Sequence, residues 1–163
     1  ASTNLVSSWE NSLPENAPAA SVHWVKIRVD PETGEVVPLY YLAIQDVGFA
    51  LNPMLIEGQI HGGVVQGLGW GMREGMEFDE QGLLLNPSFM DYALFRADEI
   101  PPVDIELIEK PSPHGPFGIR GVGEPPIVPG AAALASAIQN TVGIRFCELP
   151  VRSENVWQAM KKA

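Results

Sequence analysis

Asn52-Pro53-Met54-Leu55-Ile56-Glu57-Gly58-Gln59-Ile60-His61-Gly62-Gly63-Val64-Val65-Gln66-Gly67-Leu68-Gly69-Trp70-Gly71-Met72 is the stretch that decides how this chain folds. Asn52 stands where a helix wants a cap, and Pro53 occupies the first helical position, where a missing N–H costs nothing. A helix over 53–72 is expected. Within it Gly63, Gly67 and Gly71 fall four apart, which places three positions without side chains on one face. Each glycine costs a helix about 1 kcal/mol relative to alanine. Propensity therefore does not explain them, and something must lie very close to that backbone.

Upstream of this helix, Val25, Ile27 and Val29 alternate with Lys26 and Arg28 as a half-buried strand does. Asp30-Pro31-Glu32-Thr33-Gly34 is a turn, and residues 36–45 return as a second strand of a hairpin. Downstream, Met76-Glu77-Phe78 and Leu83-Leu84-Leu85 flank Asp79-Glu80-Gln81-Gly82, a second hairpin whose acidic pair serves the turn. Val103, Ile105 and Leu107 mark another strand, and residues 110–120, with three prolines and two glycines, an irregular loop. Pro125 and Pro126 are expected to open a helix running to about Asn140, with Ile127, Ala131, Leu134, Ala135 and Ile138 as its apolar stripe. Residues 143–148 suggest a short strand, and Ser153 a cap for a last helix ending in Lys161-Lys162. Hairpins with segregated, packed helices and no strand-helix-strand rhythm give an α+β fold in two layers. Residues 1–20, anchored by Trp9 and Leu13, read as an extended arm or linker, and 21–163 as the domain proper.

The 163 residues suffice for one domain with a real core. Ten Lys and Arg against twenty Asp and Glu leave a net charge of −10, which excludes nucleic acid and anionic membrane surfaces as partners. Charged residues are 18% of the chain, low for a free-standing soluble domain. With clustered glycines, that deficit implies a surface that meets something other than water. Cys147 alone cannot build a disulfide framework or a multi-cysteine metal site; in its expected strand it reads as a small buried hydrophobe. His23, His61 and His114 lack metal-ligand spacing, so no metal ligand is expected. Trp9, Trp24, Trp70 and Trp157 are scattered and read as packing residues. No apolar run approaches the roughly 20 residues that span a bilayer. The polar, proline-containing first twenty residues do not resemble a secretory signal, and a cytoplasmic location is expected.

Two segments can carry chemistry. In Gly118-Ile119-Arg120-Gly121-Val122-Gly123-Glu124-Pro125-Pro126 the glycines allow close approach of backbone to a ligand, and the expected helix start would favour the Glu124 carboxylate. The same residues also fit an ordinary loop-to-helix junction. In the 57–69 segment Gln59 offers two donors and an acceptor, while the glycines fit either tight helix packing or close ligand approach. The 57–69 segment is neither a dinucleotide fingerprint nor a Walker loop, and no Gly-x-Ser-x-Gly elbow exists for a hydrolase.

Taken together in order, Val29-Asp30-Pro31-Glu32-Thr33-Gly34-Glu35-Val36, Asp46-Val47-Gly48, Asn52-Pro53, Glu57-Gly58-Gln59-Ile60-His61-Gly62-Gly63, Asn86-Pro87-Ser88-Phe89-Met90-Asp91-Tyr92 and Gly121-Val122-Gly123-Glu124-Pro125-Pro126 resemble the C-terminal part of the molybdenum-cofactor subunit of the xanthine dehydrogenase and aldehyde oxidase family. The likeness runs from about Val22 onward. It implies a molybdopterin-binding domain of an oxidoreductase that hydroxylates a C–H of an aldehyde or N-heterocycle with oxygen from water. Glu124 then matches the catalytic base acting on Mo–OH, Gln59 a glutamine bonded to the pterin, and Gly58, Arg120, Gly121, Val122 and Gly123 the backbone beside the cofactor. The resemblance allows the cytosine dinucleotide form of the pterin. It implies iron–sulfur clusters and FAD on partner subunits, and an upstream portion of the molybdenum subunit that completes the site. Two departures stand out: Phe49 follows Asp46-Val47-Gly48 where the family usually has Arg, and Ala93-Leu94-Phe95-Arg96 follows Asp91-Tyr92 in place of an Ile-Pro step. A non-catalytic assembly module or remnant subunit of the same fold, needing a partner chain to bind cofactor, is the competing expectation. The choice among purine, aldehyde and other substrates lies outside these residues.

Overall fold

The computed structural model describes Ser8 and residues 16–162. Six main elements follow in order: β1 (Ser21–Val29), β2 (Val36–Asp46), α1 (Pro53–Met72), β3 (Val103–Ile108), α2 (Gly130–Val142) and α3 (Ser153–Lys162). Short 3-10 turns occupy Ala97–Glu99 and Pro116–Gly118. The sheet has the order β1-β2-β3, with β1 antiparallel and β3 parallel to β2. The helices lie over one face of it, and the fold is α+β. The parallel pair makes β2, α1 and β3 one strand-helix-strand crossover, which the periodicity alone does not show because some thirty irregular residues separate α1 from β3. Within the expected arm, residues 16–20 form no regular element, while Trp9 and Leu13 lie outside the described residues.

The first hairpin closes as its turn chemistry dictates. The Asp30 side chain accepts the N–H of Glu32 at 2.7 Å, and Gly34 takes φ +74°. A side chain at Gly34 would collide with Ser153 and Trp157, so the turn also seats α3. Asn52 caps α1 through a bond from the Leu55 N–H to its side-chain oxygen at 3.2 Å, with Pro53 at the first position. Val25, Tyr41 and Ala43 from the sheet, Ile60, Val64 and Leu68 from α1, and Leu134 and Ile138 from α2 form a single buried cluster.

The body lying close to the α1 backbone is α2 with the turn before it. A Cβ on Gly63 would stand 2.6 Å from the Pro126 side chain, one on Gly67 3.0 Å from the Gly130 Cα, and one on Gly71 2.8 Å from Leu134. This glycine row is therefore a helix-packing device. Three sequence expectations are corrected here. The helix expected from Pro125 begins at Gly130, since Pro126 disfavours helical geometry at residue 125 and 124–129 instead form tight turns, with Ile127 N–H bonded to the Glu124 carbonyl at 3.1 Å. Residues 143–148 are not a strand: Gly143 ends α2 in left-handed geometry at φ +75°, and the stretch after it pairs with no strand among the described residues. Cys147 is accordingly exposed, not buried. The second hairpin narrows to one bridge, Phe78 to Leu84, with its turn held by the Asp79 carboxylate. Trp24 and Trp70 are about half exposed (52% and 50%), and Trp24 packs edge-to-face on Tyr40 with ring centroids 5.9 Å apart.

Candidate functional site

The end of β2 and the start of α1 build a corner that holds the 118–124 loop. Gly48, at φ +70°, is the hinge, because a side chain there would strike the Gly118 carbonyl and Arg120. The Arg120 N–H donates to the Val47 carbonyl at 2.9 Å, pinning the loop against the sheet. The Arg120 guanidinium turns inward: Nε lies 3.2 Å from Asp46 Oδ2, with both side chains mostly buried, and Nη1 donates to the Pro18 carbonyl at 2.5 Å. Asp46 also accepts the Gly48 N–H through Oδ1 at 3.0 Å. Asp46 thus fixes the hinge and the arginine together. The Asp-x-Gly step at a strand end is a turn signal that could have revealed this role from sequence.

Beside this corner opens a small cleft of about 190 Å³, lined among others by Val47, Phe49, Leu55, Gln59, Arg120 and Val122. Gln59, Arg120 and Val122 are thus brought together by two elements some sixty residues apart. Gly123 joins them, since the Gln59 Nε2 lies 3.7 Å from where a Gly123 side chain would begin. Gly58 and Gly121 flank the cleft residues in sequence and face open space, with no atom within 4 Å of a Cβ built on either. Glu124 is exposed, and its carboxylate has no hydrogen bond or ion pair among the described residues. It is not part of the cleft wall. It also stands six residues before α2, so the helix field expected to favour it does not act there. On the apolar side of the cleft, Val47 stands in the Asp46-Val47-Gly48 motif and Phe49 as a departure from the family, whereas Leu55 carries no signal in the sequence.

The glycines of the two segments therefore divide. Gly63, Gly67 and Gly71 meet protein, whereas Gly58, Gly62 and Gly121 meet nothing. Glycine exposed in mid-helix costs stability without any packing return, so Gly58 and Gly62 make sense only if a further body comes close. Met54, Leu51 and Leu55 around them are largely exposed too. Among the described residues no three His, Cys, Asp or Glu side chains gather to hold a metal ion. No helix among them is long and apolar enough to cross a membrane.

Residues 4–101 match the model of the molybdopterin cofactor-binding domain. The carbon monoxide dehydrogenase large chain of Hydrogenophaga pseudoflava is 38% identical over 139 residues, covering 83% of this chain and 17% of that protein. The xanthine dehydrogenase molybdenum-binding subunit of Escherichia coli O157:H7 is 33% identical over 144 residues, covering 88% of this chain and 19% of that one. Among solved structures, the reconstituted CO dehydrogenase from Oligotropha carboxidovorans superposes with a TM-score of 0.82 at 31% identity, over 88% of this chain and 18% of that one. The chain spans less than a fifth of the length of each of these relatives.

Proposed function

Because the chain belongs to the molybdopterin cofactor-binding domain family, with molybdenum-binding subunits of the xanthine dehydrogenase type among its relatives, we propose that it forms one wall of the active site of a molybdenum hydroxylase. The observation that carries this is the face on which open backbone at Gly58 and Gly121 adjoins Gln59, Arg120 and Val122. A pterin with a phosphate-bearing tail fits such a face, since it needs backbone it can touch and amides it can bond. When bound, that cofactor supplies the two-electron oxidation that puts water-derived oxygen on an aldehyde or N-heterocycle carbon.

The residues of this chain divide the remaining work. Gln59, with a donor and an acceptor on one amide, orients the pterin edge from a rigid helix. Arg120 spends its charge on Asp46, so it contributes a fixed backbone and not a mobile cation. Gly121, Val122 and Gly123 let the loop lie flat along the cofactor. Glu124 is the base: a carboxylate with no partner among the described residues is free to take a proton at its Oε atoms from a group held within hydrogen-bond reach. The cytosine dinucleotide form of the pterin, with iron–sulfur clusters and FAD on partner subunits and the remainder of the large subunit opposite, completes the reading. So does a cytoplasmic setting, in keeping with a chain that has one cysteine. Residues 21–163 are taken as the cofactor-facing unit and 1–20 as its arm.

The test is Glu124→Gln in the assembled enzyme. Turnover is expected to fall by about 10²–10⁴, the usual weight of a general base, with molybdenum and pterin content unchanged. Unchanged turnover overturns the assignment. A second reading, an assembly module that binds cofactor only with a partner chain and does no chemistry, draws on the position of Glu124 outside the cleft wall. It predicts that Glu124→Gln leaves turnover intact while Gln59→Ala still lowers cofactor content.

A further inference from the structure

β1 is the edge of the sheet, and its hydrogen-bonding pattern can be read from its neighbours. The Tyr41 N–H donates to the Pro102 carbonyl at 2.9 Å, away from β1, so the Tyr41–Val25 pair is not a bonded one. Bonded and non-bonded pairs alternate in an antiparallel ladder. His23 opposite Ala43 and Ser21 opposite Gln45 are therefore non-bonded too, consistent with the next pair, where Asp46 N–H donates to the Ala20 carbonyl at 2.8 Å. The backbone N–H and C=O groups of Ser21, His23 and Val25 consequently point to the open edge, where no described residue meets them.

That edge borders a groove of about 510 Å³ between β1 and α2, whose far wall includes the small residues Ala133, Ser136 and Ala137. His23 lines it, with Nδ1 2.8 Å from the Tyr41 hydroxyl and Nε2 buried without a partner among the described residues. On the outer face beside the edge, Val22 and Trp24 are 65% and 52% exposed. An apolar edge left unpaired among the described residues invites non-native pairing unless it is covered.

We propose that Ser21, His23 and Val25 pair with an extended strand supplied by the part of the large subunit outside this chain. The relatives run more than five times the length matched here, so such a segment is at hand. A five-residue partner along positions 21–25 is about 17 Å long at the usual rise of a strand. Its inward side chains are small and apolar to fit against Ala133 and Ala137, and it brings an acceptor to His23 Nε2. Its outward ones cover Val22 and Trp24. The source of the strand rests on the family reading above.

The test is residue-resolved hydrogen exchange on the complete wild-type large subunit, with its molybdenum content measured on the same sample. The amides of Ser21, His23 and Val25 are expected to exchange about tenfold or more slower than free amides, like those of Val22 and Trp24, which face β2 and report that the hairpin is intact. Free exchange at 21, 23 and 25 beside protected 22 and 24 overturns the proposal. If molybdenum is present in that sample, the cofactor reading survives its failure. Cross-linking from Lys26 in a mixture of isotopically light and heavy subunit settles the source. Links within one copy support the proposal, and links between light and heavy copies overturn it in favour of a second copy.

Discussion

Gly58 and Gly63 lie five residues apart on α1 and should respond to the same substitution with opposite signs. At Gly58 an added methyl meets no atom within 4 Å. Gly58→Ala therefore gains only the backbone term, about 0.5–1 kcal/mol in a helix interior. At Gly63 the methyl would stand 2.6 Å from the Pro126 side chain and 3.0 Å from the Ile127 nitrogen. Proline cannot rotate away, and Ile127 N is held by its bond to the Glu124 carbonyl. Overpacking of this kind costs about 1–3 kcal/mol; less the same backbone gain, Gly63→Ala loses about 1 kcal/mol. In a protein of this size each kcal/mol moves Tm by about 2–4 °C. Circular-dichroism melts of cofactor-free protein should show Gly58→Ala rising and Gly63→Ala falling by about that much. Cofactor content should sort them differently again, with Gly58→Ala losing pterin despite its higher Tm if the open face meets the cofactor. A lower Tm for Gly58→Ala, or a higher one for Gly63→Ala, refutes the division of the glycines into inner and outer sets.

Other perturbations test the supports of the site. Arg120→Met strips the partner from a mostly buried Asp46 and should cost about 3 kcal/mol in urea unfolding, the low end for an uncompensated charge of this kind; an unchanged midpoint removes Asp46 as the fixing point of the loop. Glu99 is held down to about 2, first by the hydrogen bond from Arg73, then by the Arg96 N–H. A carboxyl lowered in the folded state stabilises above its ordinary value of 4.5, and that contribution disappears as pH falls from 4.5 towards 2. Glu99→Gln should flatten the acid limb of urea midpoints in that window. Burial pushes the His23 imidazole down to about 4 from 6.5, so between those values only the unfolded chain takes up its proton and stability rises with pH. His23→Gln should remove that slope while leaving the Glu99 window intact.

The sequence reads well wherever a local rule and the tertiary answer agree. Asn52-Pro53 and Asp30-Pro31-Glu32-Thr33-Gly34 carry their own turn and cap chemistry, and α1 and the first hairpin lie where these residues place them. Gly63, Gly67 and Gly71 announced a close neighbour, but not which one, because helix packing depends on an element sixty residues later. The start of α2 is misread because a proline pair looks like a helix opening, whereas Pro129 lets the helix begin only at Gly130. Residues 143–147 alternate between exposed and half-buried as a strand does and lack only a partner among the described residues, a fact no local pattern contains. At the site, residue type pointed to Gln59 and the glycines and the family resemblance to Arg120, while the pairing of Asp46 with that arginine and the cleft wall made by Phe49 and Leu55 emerge only when the 118–124 loop, β2 and α1 meet.

The low charge of the chain now has a physical explanation. Phe89 and Met90 are 87% and 93% exposed, and Phe117, three residues before Arg120, is 84% exposed in left-handed backbone at φ +55°. Burying one such side chain yields about 1.5–3 kcal/mol, so a chain that leaves several of them in water forgoes much of the stability it could have had. Soluble monomers rarely carry so large an exposed apolar surface unless it is a contact surface. The open face at Gly58 and Gly121, the unpaired edge of β1 and these aromatic and thioether groups have different chemistries, yet each lacks a complement of its own kind: a ligand that can touch bare backbone, a strand, and an apolar wall. A stable single-domain protein has no physical reason to accumulate all three. A domain that folds its own core around Tyr41, Leu68 and Leu134 and, as proposed, completes its open surfaces against the rest of a large subunit accounts for all of them at once.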